Sequence, residues 1–199
     1  MKAISIIGSP KENGSTALLV DTIIEGMKSQ NIIDVSRFVL DKMNIHFCTG
    51  CVKCEVDRVC VQKDDMTVLI DEILSSDIIL LASPSYWGDV TGQMKVFIDR
   101  SLPLCNAKTG VTPVPPGKVG ISVALRAGSS VSENQHIIDT FEHYFGHLGI
   151  KPIARLTAEN VRILPDLKAM NSKLEEAYNL GCSLINETQI SNIALSADS

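Results

Sequence analysis

The sequence predicts a three-layer α/β sandwich built on a parallel, five-stranded sheet. Three observations carry this. Five short apolar runs alternate along the chain with five segments of helical periodicity, the pattern of successive βαβ units. The third run, Ile78 to Ala82, is apolar without interruption between Asp77 and Pro84, as a strand covered on both faces must be. Length and composition allow such a core: 199 residues, 45% hydrophobic and 21% charged, exclude the disordered, collagenous and fibrous classes.

Residues 2–7 form the first strand, ending at Gly8. From Thr16 the period changes, with Leu19, Val20, Ile23, Ile24 and Met27 at helical spacing. Ile32 to Leu40 is the second strand. Met66, Leu69, Ile70, Ile73 and Leu74 place a helix over 65–75. After the third strand, residues 91–101 are helical and Val119 to Leu125 is the fourth strand. Ile137, Ile138, Phe141, Phe145 and Leu148 stripe a further helix. Pro152 to Thr157 is the fifth strand, and 166–186 the closing helix, with Leu167, Met170, Leu174, Ala177 and Tyr178 inward. Right-handed crossovers gather the strand-end loops on one sheet edge, where such sheets bind ligands. Those loops begin near Gly8, Leu40, Ser83 and Leu125. The expected organisation is a single domain over 1–186, with a cysteine-rich loop at 41–65 inserted after strand two, and a polar tail over 187–199.

Charge and hydropathy narrow the partners. Eighteen Lys plus Arg against 23 Asp plus Glu give a net charge of −5, with no basic block of the kind that neutralises phosphates. Nucleic acid is therefore not an expected partner. The apolar runs fall far short of the roughly 20 residues that span a bilayer, so no membrane partner is expected. The amino-terminal apolar segment is too short for a signal peptide. A cytoplasmic location follows as the expectation, with reduced cysteines suited to metal or redox chemistry rather than a disulfide framework.

The first strand-end loop, Gly8 to Thr16, carries Ser9, Lys11, Asn13, Gly14, Ser15 and Thr16. Hydroxyls, a cation and the free N–H groups of a helix amino terminus together favour a phosphate. The loop matches neither the Gly-x-Gly-x-x-Gly dinucleotide pattern nor the Gly-Lys-Ser/Thr phosphate loop. The plainer alternative is that Ser15 only caps the helix and Gly8 only turns the chain. The third loop, Ser83-Pro84-Ser85-Tyr86-Trp87-Gly88, contains the sole Trp and suits a planar heteroaromatic ligand. Its alternative is an aromatic corner packed under the next helix.

Taken together, Gly8-Ser9-Pro10 with Gly14-Ser15-Thr16, and Pro84-Ser85-Tyr86-Trp87-Gly88 with Gln93-Met94-Lys95-x-Phe97-Ile98-Asp99-Arg100, resemble the flavodoxin-like NAD(P)H-dependent FMN reductases. The resemblance implies the flavodoxin-like strand order 2-1-3-4-5, FMN phosphate in the first loop and the isoalloxazine ring against residues 84–88. It also implies that Arg126-Ala127-Gly128-Ser129, after strand four, touches the flavin; a solvated surface charge is the alternative for Arg126.

Four cysteines fall at Cys48-x2-Cys51-x2-Cys54-x5-Cys60. Three thiolates at i, i+3 and i+6 can wrap a small inorganic cube, a fourth can close it, and bacterial ferredoxin runs open with the same spacing. Zinc with four cysteines usually takes two pairs a dozen or more residues apart, leaving it behind the cluster; free or disulfide-linked thiols are the third option. The spacing is similar to the compact motif of the archaeal-type iron–sulfur flavoproteins, a branch of the same family that carries FMN and a [4Fe–4S] cluster. Val61, not Pro, follows the last cysteine. His46 can assist a metal or lie on the surface. His143 and His147, four apart without the Glu of a zinc hydrolase, read as helix surface. Cys105 and Cys182 read as small buried hydrophobes. The proline-rich 101–117 loop flanks the site or forms a subunit contact.

Three functions are then open. The first is an FMN oxidoreductase with a [4Fe–4S] cluster, joining two-electron NAD(P)H to a one-electron carrier such as ferredoxin. The second is a flavin, quinone or nitro reductase without a cluster. The third is a non-enzymatic sensor with a zinc-bound or redox-switchable cysteine loop. No side chain is assigned as acid or base, and the resemblance implies a homodimer or homotetramer.

Overall fold

Parallel strands covered on both faces alternate their side chains between two cores, and the burial pattern shows this directly. The computed structural model describes residues 1–30, 33–105 and 109–197, with side chains through Leu184. Strands β1 (Lys2–Ile7), β2 (Asp34–Val39), β3 (Ile78–Pro84), β4 (Val119–Leu125) and β5 (Lys151–Ala158) form one all-parallel sheet in the order β2-β1-β3-β4-β5. Ile32, the expected start of the second strand, lies outside the described residues. Ala3, Ile7, Ile78, Leu80 and Ala82 face one layer, while Ile4, Ile6, Ile79 and Leu81 face the other. Helix α1 (Ser15–Gln30) lies on the first face; the turn α2 (Cys54–Asp57) belongs to the cysteine segment. Helices α3 (Met66–Ser75), α4 (Gly92–Arg100) and α5 (Val131–Leu148) cover the second face. The flavodoxin-like sandwich and its strand order are as expected. Among the described residues no helix is long and apolar enough to cross a membrane.

The closing helix differs from expectation. It is two helices, α6 (Leu164–Lys168) and α7 (Asn171–Ala197). The Asp166 carboxylate accepts the N–H groups of Arg162 and Ile163, each at 2.9 Å, and Pro165 sits in the first turn, so a separate short helix nucleates there. Helix α7 continues through the residues read as a tail, because no Gly or Pro follows Gly181 to stop it. Tyr178, expected inward, is exposed. Helices α1 and α7 meet instead at a glycine on each, Gly26 and Gly181. A Cβ on Gly26 would lie 2.1 Å from the Tyr178 carbonyl oxygen, and one on Gly181 2.0 Å from that of Ile23. The helices thus cross backbone to backbone. Gly181→Ala is expected to destabilise by about 1–3 kcal/mol, overpacking outweighing the gain in helix propensity. A denaturation midpoint equal to or above wild type would contradict that crossing.

Thr91 joins three elements at the sheet edge. Its Oγ1 accepts the Met94 N–H at 3.3 Å, capping α4, and donates to the Gly8 carbonyl at 2.6 Å. Its N–H donates to Ser83 Oγ at 3.1 Å. The ends of β1 and β3 are fixed to α4 by one buried residue. Thr91→Ala is expected to lose about 1–2 kcal/mol through the cap and the stranded Gly8 carbonyl. A loss under about 0.5 kcal/mol, the range of neutral surface changes, would show that the junction holds without it.

Candidate functional site

The carboxyl edge of the sheet opens into a cavity of about 400 Å³. The first loop lines it with Ser9, Lys11, Asn13, Gly14, Ser15 and Thr16. Ser9 and Thr16 are buried, and Ser9 Oγ accepts the Lys11 N–H at 3.2 Å. Gly14 donates its N–H to the Lys11 carbonyl at 3.1 Å. A Cβ there would come within 2.9 Å of the Lys11 Cβ, so the turn closes only around a glycine. The turn delivers the chain into α1 with first-turn N–H groups, which by helix geometry have no intrahelical acceptor, beside the hydroxyls of Ser15 and Thr16.

Pro84, Ser85 and Tyr86 form the facing wall. Tyr86 and Asp89 exchange backbone hydrogen bonds at 2.9 and 3.2 Å around Trp87 (φ 57°) and Gly88 (φ 79°), a turn with both central residues left-handed. That turn carries the Trp87 ring wholly into solvent, so it is not a packed corner, and neither Trp87 nor Gly88 lines the cavity. Arg126 does line it, and it is no solvated charge. Its Nη1 pairs with Glu133 at 3.0 Å and donates to the Ser130 carbonyl at 2.9 Å. Glu133 also accepts Ser85 Oγ at 3.1 Å, linking the third and fourth loops. The Arg126 Nε is buried with no partner among the described residues. Gly128 stands back from the cavity, its carbonyl accepting the Asn160 N–H at 2.9 Å.

Residues after β5 complete the cavity, and the sequence did not single them out: Val161, Arg162, Ile163 and Leu164. The signal was available, since they follow a fifth strand on the same edge. Backbone bonds hold them there, the Val161 N–H donating to the Arg126 carbonyl at 2.9 Å.

The cysteine segment leaves β2 and lies along α4. Met43, Ile45 and Phe47 form a groove with Gly92, Gln93 and Val96. Its two stems are zipped together. Asn44 and Asp65 exchange bonds at 2.7 and 3.1 Å, the His46 N–H reaches Asp64 at 3.0 Å, and Gln62 donates to the Phe47 carbonyl at 3.0 Å. All six cysteines are unpaired thiols; Cys48 and Cys51 are exposed, Cys60 half-buried and Cys54 buried. The Lys53 peptide N–H and then the Thr49 hydroxyl hold the Cys51 thiol below its ordinary value. Burial, then the neighbouring Cys60, pushes Cys54 up. Among the described residues no three His, Cys, Asp or Glu side chains converge on a point that could hold a metal ion. The donor set nonetheless fits iron in kind and number. Two buried guanidinium N–H groups without acceptors among the described residues, Arg58 Nη1 and Arg100 Nε, belong to side chains of this region. Arg58 also donates to the Val111 carbonyl at 3.2 Å, packing the 101–117 loop on the segment; residues 106–108 of that loop lie outside the described residues. His46 pairs with Asp64 at 3.2 Å, while His143 and His147 face each other at 3.1 Å on the exposed side of α5, away from the cavity.

A parallel sheet ordered 2-1-3-4-5 with a cavity at its switch-point edge, lined by the loops after its first, third and fourth strands, defines the flavodoxin-like class. Residues 1–156 match the family model of the NADPH-dependent FMN reductases, and the chain belongs to that family. An iron–sulfur flavoprotein of Archaeoglobus fulgidus is 33% identical over 187 residues, covering 89% of this chain and 80% of that protein. One of Methanocaldococcus jannaschii is 32% identical over 187 residues, covering 91% and 94%. Within the family the chain falls in that iron–sulfur flavoprotein branch. The fold also matches NAD(P)H:quinone oxidoreductase from Methanothermobacter marburgensis, with TM-score 0.71 and 13% identity over 92% of this chain and 96% of that one. The protein is an FMN-dependent oxidoreductase, and the non-enzymatic reading falls away.

Proposed function

We propose that FMN lies in the cavity with its phosphate on Ser9, Lys11, Asn13, Gly14, Ser15 and Thr16. Its ring then lies against Pro84, Ser85 and Tyr86, with Trp87, Gly88, Arg126 and Gly128 at the margin. In the same proposal Cys48, Cys51, Cys54 and Cys60 ligate a [4Fe–4S] cluster. Bound, FMN would take two electrons as hydride from NAD(P)H and release them singly, and the cluster would pass one at a time to a carrier such as ferredoxin.

The chain's own part is positioning. The hydroxyls of Ser9, Ser15 and Thr16 and the first-turn N–H groups of α1 donate to the phosphate, and Lys11 adds a cation at the rim. Pro84 and Tyr86 shield one ring face from water. Arg126 Nε is the donor available to the ring's polar edge. Helix α4 connects the two sites: Thr91 at its start holds the Gly8 carbonyl, and Arg100 at its end reaches Cys60. Its nine residues span about 13 Å by helical rise.

The observation that carries the reading is the convergence of cradle, apolar wall and unpartnered Arg126 donor on one cavity. The cluster rests on the donor set and on the relatives' character as iron–sulfur flavoproteins. A second reading, the same flavin enzyme without iron reducing flavin, quinone or nitro compounds, draws on the thiols' failure to converge. Visible spectra of protein purified without air separate the two. Flavin bands with a broad absorption near about 400 nm, both bleached by NADPH, support the first. Flavin bands alone support the second, and a protein that takes up no flavin overturns both.

In this proposal residues 1–186 act as one FMN-binding domain that assembles as a homodimer or homotetramer. The support is apolar surface: Phe47, Val52, Val56 and Val59 stand in solvent around the cysteines. Light scattering should return a multiple of the 21.6 kDa chain mass, and a monomer would refute the assembly.

A further inference from the structure

The largest fully buried side chain among the described residues is a cation, Arg100, only 1% exposed at the last residue of α4. A guanidinium leaves water at high cost, so each of its contacts matters. Nη1 donates to Asp64 Oδ2 and to the His46 carbonyl, both at 2.7 Å. Nη2 donates to Asp64 Oδ1 at 2.9 Å and reaches Cys60 Sγ at 3.5 Å. Nε is buried and has no partner among the described residues. Asp64, whose side chain has no exposure, also accepts the N–H groups of His46 and Met66 at 3.0 and 3.2 Å.

The arrangement is directional. Asp64 occupies one N–H of each terminal nitrogen, and the second N–H of each goes elsewhere in the cysteine segment: to the His46 carbonyl two residues before Cys48, and to the sulfur of Cys60. The guanidinium therefore touches the segment near its first cysteine and at its last. A buried ion pair alone adds little stability over packed apolar groups. A bidentate fork with donors to spare is better suited to an anionic sulfur centre, which the planar geometry of arginine serves and an ammonium does not.

We infer that Arg100, locked by Asp64, is a positioning residue for the proposed cluster: it fixes Cys60 and the His46 stem and stabilises the reduced cluster by charge and an N–H···S bond. This rests on the cluster reading of the preceding section. Hydrogen bonds to ligand sulfur and nearby positive charge both raise a cluster's potential.

The test uses anaerobically prepared, FMN-loaded wild type, Arg100→Gln and Arg100→Lys. Iron and acid-labile sulfide are counted, and the reduced-cluster fraction is read by EPR at a fixed potential. In Arg100→Gln the ratio of reduced to oxidised cluster is expected to fall about tenfold, equivalent to 59 mV for a one-electron couple. Arg100→Lys should recover part of it, because the charge remains while the fork is lost. Loss of iron from both variants with FMN still bound also supports the positioning role. Should Arg100→Gln fail to retain FMN, Arg100→Lys decides, since it keeps a cation opposite Asp64. Clusters of unchanged content and potential in the variants would overturn the role of Arg100 alone. Wild type with less than one iron per chain would overturn the cluster reading and this inference with it.

Discussion

Replacing Ser15 and Thr16 together with Ala is expected to weaken FMN binding by about 2–4 kcal/mol, roughly 30- to 700-fold in Kd. Both hydroxyls lie at the start of α1 on the cavity wall, and Thr16 is buried there. Each bond to a phosphate is charge-assisted, so its loss exceeds that of a neutral pair. The helix itself should survive. Its apolar stripe, Leu19, Val20, Ile23 and Met27, is wholly inside the core and untouched by the change. Titration of flavin-stripped protein, followed by quenching of FMN fluorescence, reads the effect. Affinity equal to wild type would remove the first loop from the phosphate site.

Asp64→Ala should cost about 3–5 kcal/mol of stability, because it leaves the Arg100 charge buried without its partner. The loss is measured by chemical denaturation at matched FMN saturation, since bound flavin adds stability to every variant alike. A loss below about 1 kcal/mol would mean that Arg100 is neutralised by another route. The pair also sets an acid limb. Burial pushes the Asp64 carboxyl up, but the Arg100 guanidinium and the N–H groups of His46 and Met66 outweigh it and hold the group well below the ordinary carboxylate range. With the folded value depressed, Asp64 contributes fully above the unfolded value of about 3.9 and loses that contribution as pH falls below it. Asp64→Asn should therefore be less stable near neutrality and show a shallower decline in acid than wild type. Parallel acid limbs in the two proteins would contradict this.

The sheet was legible because each strand carries its own signal. The unbroken run at Ile78 to Ala82 declares a strand covered on both faces, and Leu19, Val20, Ile23 and Met27 fit only a helix on it. The cavity's first, third and fourth walls were legible too, because strand-end loops concentrate unusual residues. What escaped depends on contacts across long sequence distance. Arg100 looks like the end of an amphipathic helix until the chain brings Asp64, 36 residues earlier, against it. The capping Asp166 sets where α6 starts, not the break after Lys168, and the 3.6-residue stripe of Leu167, Met170 and Leu174 reads straight across that break. Trp87 reads as wall or core by composition; only the left-handed turn with Gly88 shows that it faces solvent.

The coupling of FMN to iron is tested most directly by counting cofactors. Wild type and Cys51→Ala are prepared without air, because exposed thiols that lose metal oxidise readily. Iron, acid-labile sulfide and FMN are then measured per chain. About four iron and four sulfide with one FMN are expected in wild type. The variant should keep its FMN and lose most of the iron. Less than one iron per chain in wild type with FMN fully bound would contradict the coupled account and leave a flavin reductase without a cluster.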